Sequence, residues 1–164
     1  TIWVGTATSG VLVSRDGGRS WKQVDLPADA AVNVVVQDPR RRDRIYVGTK
    51  RALYMSTDGG ASWTRRGGNL PFGDFTSILV NPRNTDEIFA GNAYQTSDVG
   101  GGVFRSVDGG VTWARIDPKE HRLPSQRIWA LAFDSHDQNI LFVGSHSAGV
   151  YVVPRTGENL SSGR

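Results

Sequence analysis

The chain has 164 residues, a net charge of +3, 38% hydrophobic residues, 20 glycines and no cysteine. That length suits one domain with a modest core, and the lack of cysteine excludes disulfides and thiolate metal sites. No apolar run is long enough for a transmembrane helix, and the basic run Arg40-Arg41-Arg42 meets Asp43 at once, so neither a membrane nor a nucleic-acid partner is expected.

In chain order the sequence opens inside a strand, Ile2-Trp3-Val4-Gly5, with no signal peptide, as expected of a processed chain or an excised piece. A second short strand, Val11-Leu12-Val13, leads into Ser14-Arg-Asp16-Gly17-Gly18-Arg-Ser20-Trp21. A polar–apolar segment to Val24 follows, and then the apolar strand Val32 to Val36. The same order recurs. Ile45 to Gly48 and Leu53 to Met55 precede Ser56-Thr-Asp58-Gly59-Gly60-Ala-Ser62-Trp63, and the strand Thr76 to Val80 follows. Ile88 to Gly91 and Val103 to Arg105 precede Ser106-Val-Asp108-Gly109-Gly110-Val-Thr112-Trp113, with Ile128 to Phe133 after it. Leu141 to Gly144 and Val150 to Val152 open a fourth unit, whose 153–160 segment lacks the motif's Ser, Asp and Trp. The motif Asp residues are 42 and 50 positions apart, a period typical of propeller blades. Nothing has a sustained helical period, so the chain reads as all-β. The repeats run approximately over 1–43, 44–86, 87–138 and 139–164 of a single segment.

The repeated corner has a physical logic. The carboxylates of Asp16, Asp58 and Asp108 can accept N–H bonds within their own turns, while Gly18 and Gly60, like Gly110, permit φ > 0. The indoles of Trp21, Trp63 and Trp113 cover the corner, each N–H seeking an acceptor. These are structural duties, and the three Asp residues read as turn locks rather than catalysts.

The pattern resembles the Asp-box, or BNR, repeat of sialidases, sortilin-type receptors, xyloglucan hydrolases and the photosystem II assembly factor. The resemblance covers nearly the whole chain. It implies a β-propeller of four-stranded antiparallel blades, with the box between the third and fourth strands of each blade. It leaves function open between hydrolase, receptor and assembly factor, and is compatible with an extracytoplasmic location. The strand order amounts to about three and a half blades, a partial propeller, since closed rings need four to eight blades. The first unit lacks its innermost strand and the last its outermost one. The expected partners are therefore remaining propeller blades or a second copy of the chain.

Two enlarged loops of the third repeat are the best pointers to function, because long loops on a rigid scaffold carry binding. They run over 92–101 and 117–127. They supply Tyr94, Gln95, Asp98, Glu120, His121 and Arg122 as candidate ligand-binding residues. Asp98 and Glu120 could act as acid and base in glycoside hydrolysis, or simply initiate a turn and face solvent. Tyr94, with Trp3 or Trp129 if exposed, would offer a sugar a stacking face, although Trp129 in its apolar strand reads as core. His121, His136 and His146 lack metal-ligand spacing, and Asp134-Ser-His-Asp137 reads as a turn, so no metal or cofactor is expected. The arginines cluster in turns such as Arg40 to Arg44, away from these loops, so a sialidase's catalytic set maps to no position. The first expectation is a non-catalytic scaffold binding a glycan or protein; the alternative is a fragment of a propeller glycoside hydrolase.

Overall fold

The computed structural model describes residues 1–27, 31–94, 101–117, 123 and 125–156. Among them are fourteen strands and no helix. The first sheet holds β1 (Ile2–Gly5), β2 (Val11–Ser14) and β3 (Lys22–Val24). The second runs β4 (Val32–Gln37), β5 (Ile45–Thr49), β6 (Leu53–Ser56) and β7 (Thr64–Arg66). The third runs β8 (Phe75–Val80), β9 (Ile88–Asn92), β10 (Gly102–Ser106) and β11 (Ala114–Arg115). The fourth holds β12 (Ile128–Phe133), β13 (Ile140–Ser145) and β14 (Gly149–Pro154). Every pairing is antiparallel between chain neighbours, so each sheet is a meander, and the sheets follow one another as propeller blades.

Three apolar clusters fill the spaces between successive sheets, one per interface. Val11 and Val13 meet Val32 and Val47. Tyr46, Leu53 and Met55 meet Phe75, Ile78 and Val80. Phe89 and Val103 meet Ile128, Leu141 and Val143. A glycine in the second strand of each of the first three blades lets the next inner strand approach. A Cβ on Gly48 would lie 2.6 Å from the Phe75 carbonyl oxygen, and one on Gly91 would lie 2.8 Å from Ile128 Cγ2. Gly5 is crowded in the same way by Val32. The contact is therefore one repeated joint, and it explains why glycine recurs after the aromatic–aliphatic residues of these strands.

The three boxes close identically. Each Ser14, Ser56 and Ser106 hydroxyl donates to its Asp Oδ1 at 2.7–2.8 Å and accepts the N–H of Gly18, Gly60 or Gly110 at 2.8 Å. The Ser20, Ser62 and Thr112 N–H groups donate to Oδ1 at 2.9 Å, and their hydroxyls to Oδ2 at 2.5–2.6 Å. Both box glycines stand at positive φ, as with Gly59 at 71° and Gly60 at 88°, a pair of turns closed to other residues without strain. These donors hold Asp16 and Asp58 far below the usual carboxylate range, and hold Asp108 at about 2, the Thr112 hydroxyl contributing most to the last.

The indoles diverge from expectation. Trp113 Nε1–H donates to the Gly110 carbonyl at 3.1 Å, but Trp63 Nε1 has no acceptor among the described residues, and Trp21 is 45% exposed. Trp63 instead stands edge-on to Trp3 at 6.4 Å, and Trp3 covers Gly60 from the neighbouring sheet. One indole thus locks its own corner while another packs across a blade interface.

At the box end of the strands, ion pairs join the sheets. Arg41 and Arg44, in the turn between β4 and β5, reach Asp86 in the equivalent turn of the third sheet at 3.0 and 2.8 Å. Glu87, whose side chain is 2% exposed, accepts from Arg105 of β10 at 2.7 Å and from Arg155, beyond β14, at 2.9 Å. Burial pushes the Glu87 carboxyl up, but Asn81, Arg105 and Arg155 outweigh it and the net displacement is downward.

Candidate functional site

The opposite rim is formed where the innermost strands begin. The register fixes its composition: Val32 pairs with Thr49, Phe75 with Asn92 and Ile128 with Ser145. The residues just before β4, β8 and β12 therefore lie beside the turns that follow β5, β9 and β13. The same backbone bond recurs three times, from Lys50 N–H to Ala31 O, from Ala93 N–H to Asp74 O and from His146 N–H to Arg127 O.

Each inner strand carries a bulge at its second residue, Asn33, Thr76 or Trp129, where the pairing skips one position. A bulge turns the extra side chain out of the alternation. The Asn33 amide donates to the Asp74 carboxylate at 2.6 Å and to the Phe75 carbonyl of the next sheet at 3.2 Å. Thr76 Oγ donates to the Ile128 carbonyl one sheet further on. Trp129 holds the third equivalent position and is 51% exposed, so it is a rim residue and not core. Its ring lies 6.0 Å from that of His146, and Arg127 Nη1 sits 3.4 Å from His146 Nδ1. The equivalent Asn33 and Thr76 side chains reach the next sheet, but no sheet follows the fourth among the described residues, so the Trp129 ring is not in a core.

A second aromatic group lies on this rim. Phe72, 52% exposed, meets Tyr94 edge-on with ring centroids 5.5 Å apart. Asn92 Oδ1 accepts both the Asp74 and Tyr94 N–H groups, at 3.1 and 2.8 Å. That anchors the start of the Tyr94 loop to the start of β8. Phe72 was missed in the sequence because it follows a Pro in a short connection that no motif flags.

Of the sequence candidates, Tyr94 stands half-buried on this rim, whereas Gln95, Asp98, Glu120, His121 and Arg122 lie outside the described residues. The described carboxylates nearby are occupied. Asp74 takes the Asn33 amide, and Asp117 is gripped by Arg115 Nε and Nη2 at 2.9 and 2.6 Å and accepts the Val103 N–H. Trp3, the other candidate stacking residue, faces the second sheet instead. In the Asp134 turn the carboxylate accepts the His136 and Asp137 N–H groups at 2.7 and 2.9 Å, which spends its oxygen on the backbone.

Residues 9–116 match the Sortilin-Vps10 family model, described as sortilin, neurotensin receptor 3. The chain belongs to the Sortilin-Vps10 family. Among curated relatives of this family member, a xyloglucanase of Hypocrea jecorina (strain QM6a) is 34% identical over 116 residues, 71% of this chain and 13% of the enzyme. Among solved structures, an ancestral GH74 enzyme superposes with a TM-score of 0.78 at 25% identity, covering 94% of this chain and 21% of that one. YCF48 from Cyanidioschyzon merolae shares the fold, with a TM-score of 0.62 at 24% identity over 85% of this chain and 38% of its own. The chain spans about an eighth of the length of the curated xyloglucanases it matches.

Proposed function

We propose that this chain is a glycan-binding wall of a propeller that acts on xyloglucan. The rim bearing Phe72, Tyr94 and Trp129 would hold the saccharide. The observation that carries this reading is the half-exposed state of Phe72 and Trp129 at one end of the blades. Apolar sugar faces stack on aromatic rings, and two such platforms beside amide and guanidinium donors suit a neutral, hydroxyl-rich polymer. The similarity to xyloglucanases supports that choice of polymer. Electrophoresis through gels containing xyloglucan tests it. Retardation is expected, weakening about fivefold to tenfold in Phe72→Ala or Trp129→Ala, as for the loss of an aromatic contact of ~1 kcal/mol. Mobility unaffected by the polymer, or retardation unaffected by both substitutions, would overturn it.

A second reading, hydrolysis, is favoured by those same relatives, and gives Asp98 and Glu120 the roles of acid and base. Release of reducing ends from xyloglucan that is lost in Asp98→Asn and Glu120→Gln would establish it. Binding without release of reducing ends leaves the scaffold reading in force.

A further inference from the structure

One position common to the four blades changes its task in the third. The residue after the recurring strand glycine is Thr6, Thr49, Asn92 or Ser145. In three blades its hydroxyl closes the turn that it opens. Thr6 Oγ1 donates to the Gly10 carbonyl at 2.9 Å, Thr49 Oγ1 to the Ala52 carbonyl at 2.9 Å and Ser145 Oγ to the Gly149 carbonyl at 3.1 Å. The third blade has no such short turn. Residues 93–101 separate β9 from β10, where 50–52 separate β5 from β6 and 146–148 separate β13 from β14. At this position it carries a fully buried asparagine.

We infer that Asn92 is a positioning residue for the rim: its carboxamide oxygen fixes the Phe72–Tyr94 ring pair, and Gly73 supplies the space in which the amide sits. The saccharide as ligand of that pair rests on the glycan-binding reading above; the fixing of the rings does not.

Asn92 Oδ1 accepts the Tyr94 N–H at 2.8 Å, an Asx turn at the start of the enlarged connection. It also accepts the Asp74 N–H at 3.1 Å, two residues after Phe72. The Ala93 N–H donates to the Asp74 carbonyl at 2.8 Å and completes the clamp. One oxygen thus ties together the two short segments that carry Phe72 and Tyr94, whose rings meet edge-on. A Ser or Thr oxygen stands one bond nearer the backbone, and in the other blades it serves only its own turn.

Asn92 Nδ2 contributes nothing to this clamp. It is buried with no hydrogen-bond partner among the described residues, an uncommon state that calls for a reason. Gly73 gives the reason. A Cβ on Gly73 would collide with Nδ2 and lie 2.5 Å from Asn92 Cγ and Oδ1, so the amide fills the place of a side chain at 73. Gly73 is not among the glycines at positive φ. Space, and not backbone freedom, requires glycine there.

Three variants of the full chain test the role. Asn92→Thr installs the residue of the first two blades, Gly73→Ala expels the amide, and Asn92→Asp keeps an acceptor oxygen in place. Nuclear Overhauser cross-peaks between the Phe72 and Tyr94 rings, recorded without saccharide, should vanish in the first two variants and persist in Asn92→Asp. In xyloglucan gels the first two should be retarded about threefold to fivefold more weakly, approaching the loss in Phe72→Ala. Asn92→Asp should run as wild type, a rescue that a loss of general stability would not produce. Adding Gly73→Ala to Asn92→Thr should weaken retardation no further, because both remove one contact. Ring cross-peaks that survive in both Asn92→Thr and Gly73→Ala, or that vanish in Asn92→Asp as well, would overturn the role of Asn92. Cross-peaks that respond as expected while Phe72→Ala leaves retardation intact would uphold the positioning of the rings and remove the saccharide as their ligand.

Discussion

Glu87→Gln is the perturbation whose cost follows most directly from the structure. The carboxylate is 2% exposed and takes Arg105 and Arg155 on Oε1, with the Asn81 amide on Oε2. It thus ties the turn of the third sheet to its own third strand and to the end of the fourth sheet. Glutamine keeps the volume and one acceptor oxygen but removes the charge, and turns an N–H₂ toward groups that are all donors. Two ion pairs become hydrogen bonds from a guanidinium to a neutral amide oxygen, losing about 1 kcal/mol each, and a donor–donor conflict adds about 1–2 kcal/mol. The guanidiniums, 23% and 27% exposed, recover some hydration, so the expected loss is about 2–4 kcal/mol. For a chain of this size that lowers Tm by roughly 5–12 °C. Urea denaturation followed by tryptophan fluorescence measures it, read as a lower midpoint at constant slope. Arg155→Met should cost only about 1 kcal/mol, because Glu87 keeps Arg105 and Asn81. A Glu87→Gln variant within ~0.5 kcal/mol of wild type would refute the role of Glu87 as a joint between blades.

Other expectations follow from the same geometry. Gly91→Val drives a branched side chain into Ile128 and should cost about 1–3 kcal/mol or prevent folding, whereas a Cβ at Gly144 meets nothing nearer than Ala130 Cβ at 3.3 Å. Gly144→Ala should therefore stay within ~1 kcal/mol of wild type in the same urea assay, and equal losses at the two sites would count against the repeated joint. The box carboxylates have folded pKa values below their unfolded values, so their stabilisation is complete above the unfolded value of about 4. It is lost as pH falls through the folded value, about 2 for Asp108 and lower for Asp16 and Asp58. Circular dichroism should show acid unfolding beginning below about pH 4, and a transition centred at neutral pH would contradict it. Asp58→Ala removes the acceptor for Ser56, Ala61 and Ser62 and should destabilise the corner, visible as a lower urea midpoint.

The blades were legible because each carries its own punctuation. The box spacing and the aromatic–aliphatic strands ending in glycine located all fourteen strands, and the sheet order followed from their succession. The rim was only partly legible. Trp129 sits in an apolar run, yet alignment of the inner strands sets it beside Asn33 and Thr76, two polar residues, and that correspondence is the signal of an outward bulge. Phe72 carried no such mark. Nor did the Glu87 joint, whose partners Arg105 and Arg155 are 18 and 68 residues away, because ion pairs at such separations leave no local trace in a single sequence. The glycines at 48 and 91 had the opposite character: their recurrence was plain, and only the packing of Phe75 and Ile128 gave the reason.

The radial succession of sheets is tested most directly by proton–proton contacts across the joints. Nuclear Overhauser spectra should contain three equivalent cross-peaks: Gly5 Hα to a Val32 methyl, Gly48 Hα to Phe75 Hβ, and Gly91 Hα to the Ile128 γ-methyl. A propeller requires all three together. Their absence in a folded sample, or contacts from these glycines to sheets other than the next one in sequence, would contradict it.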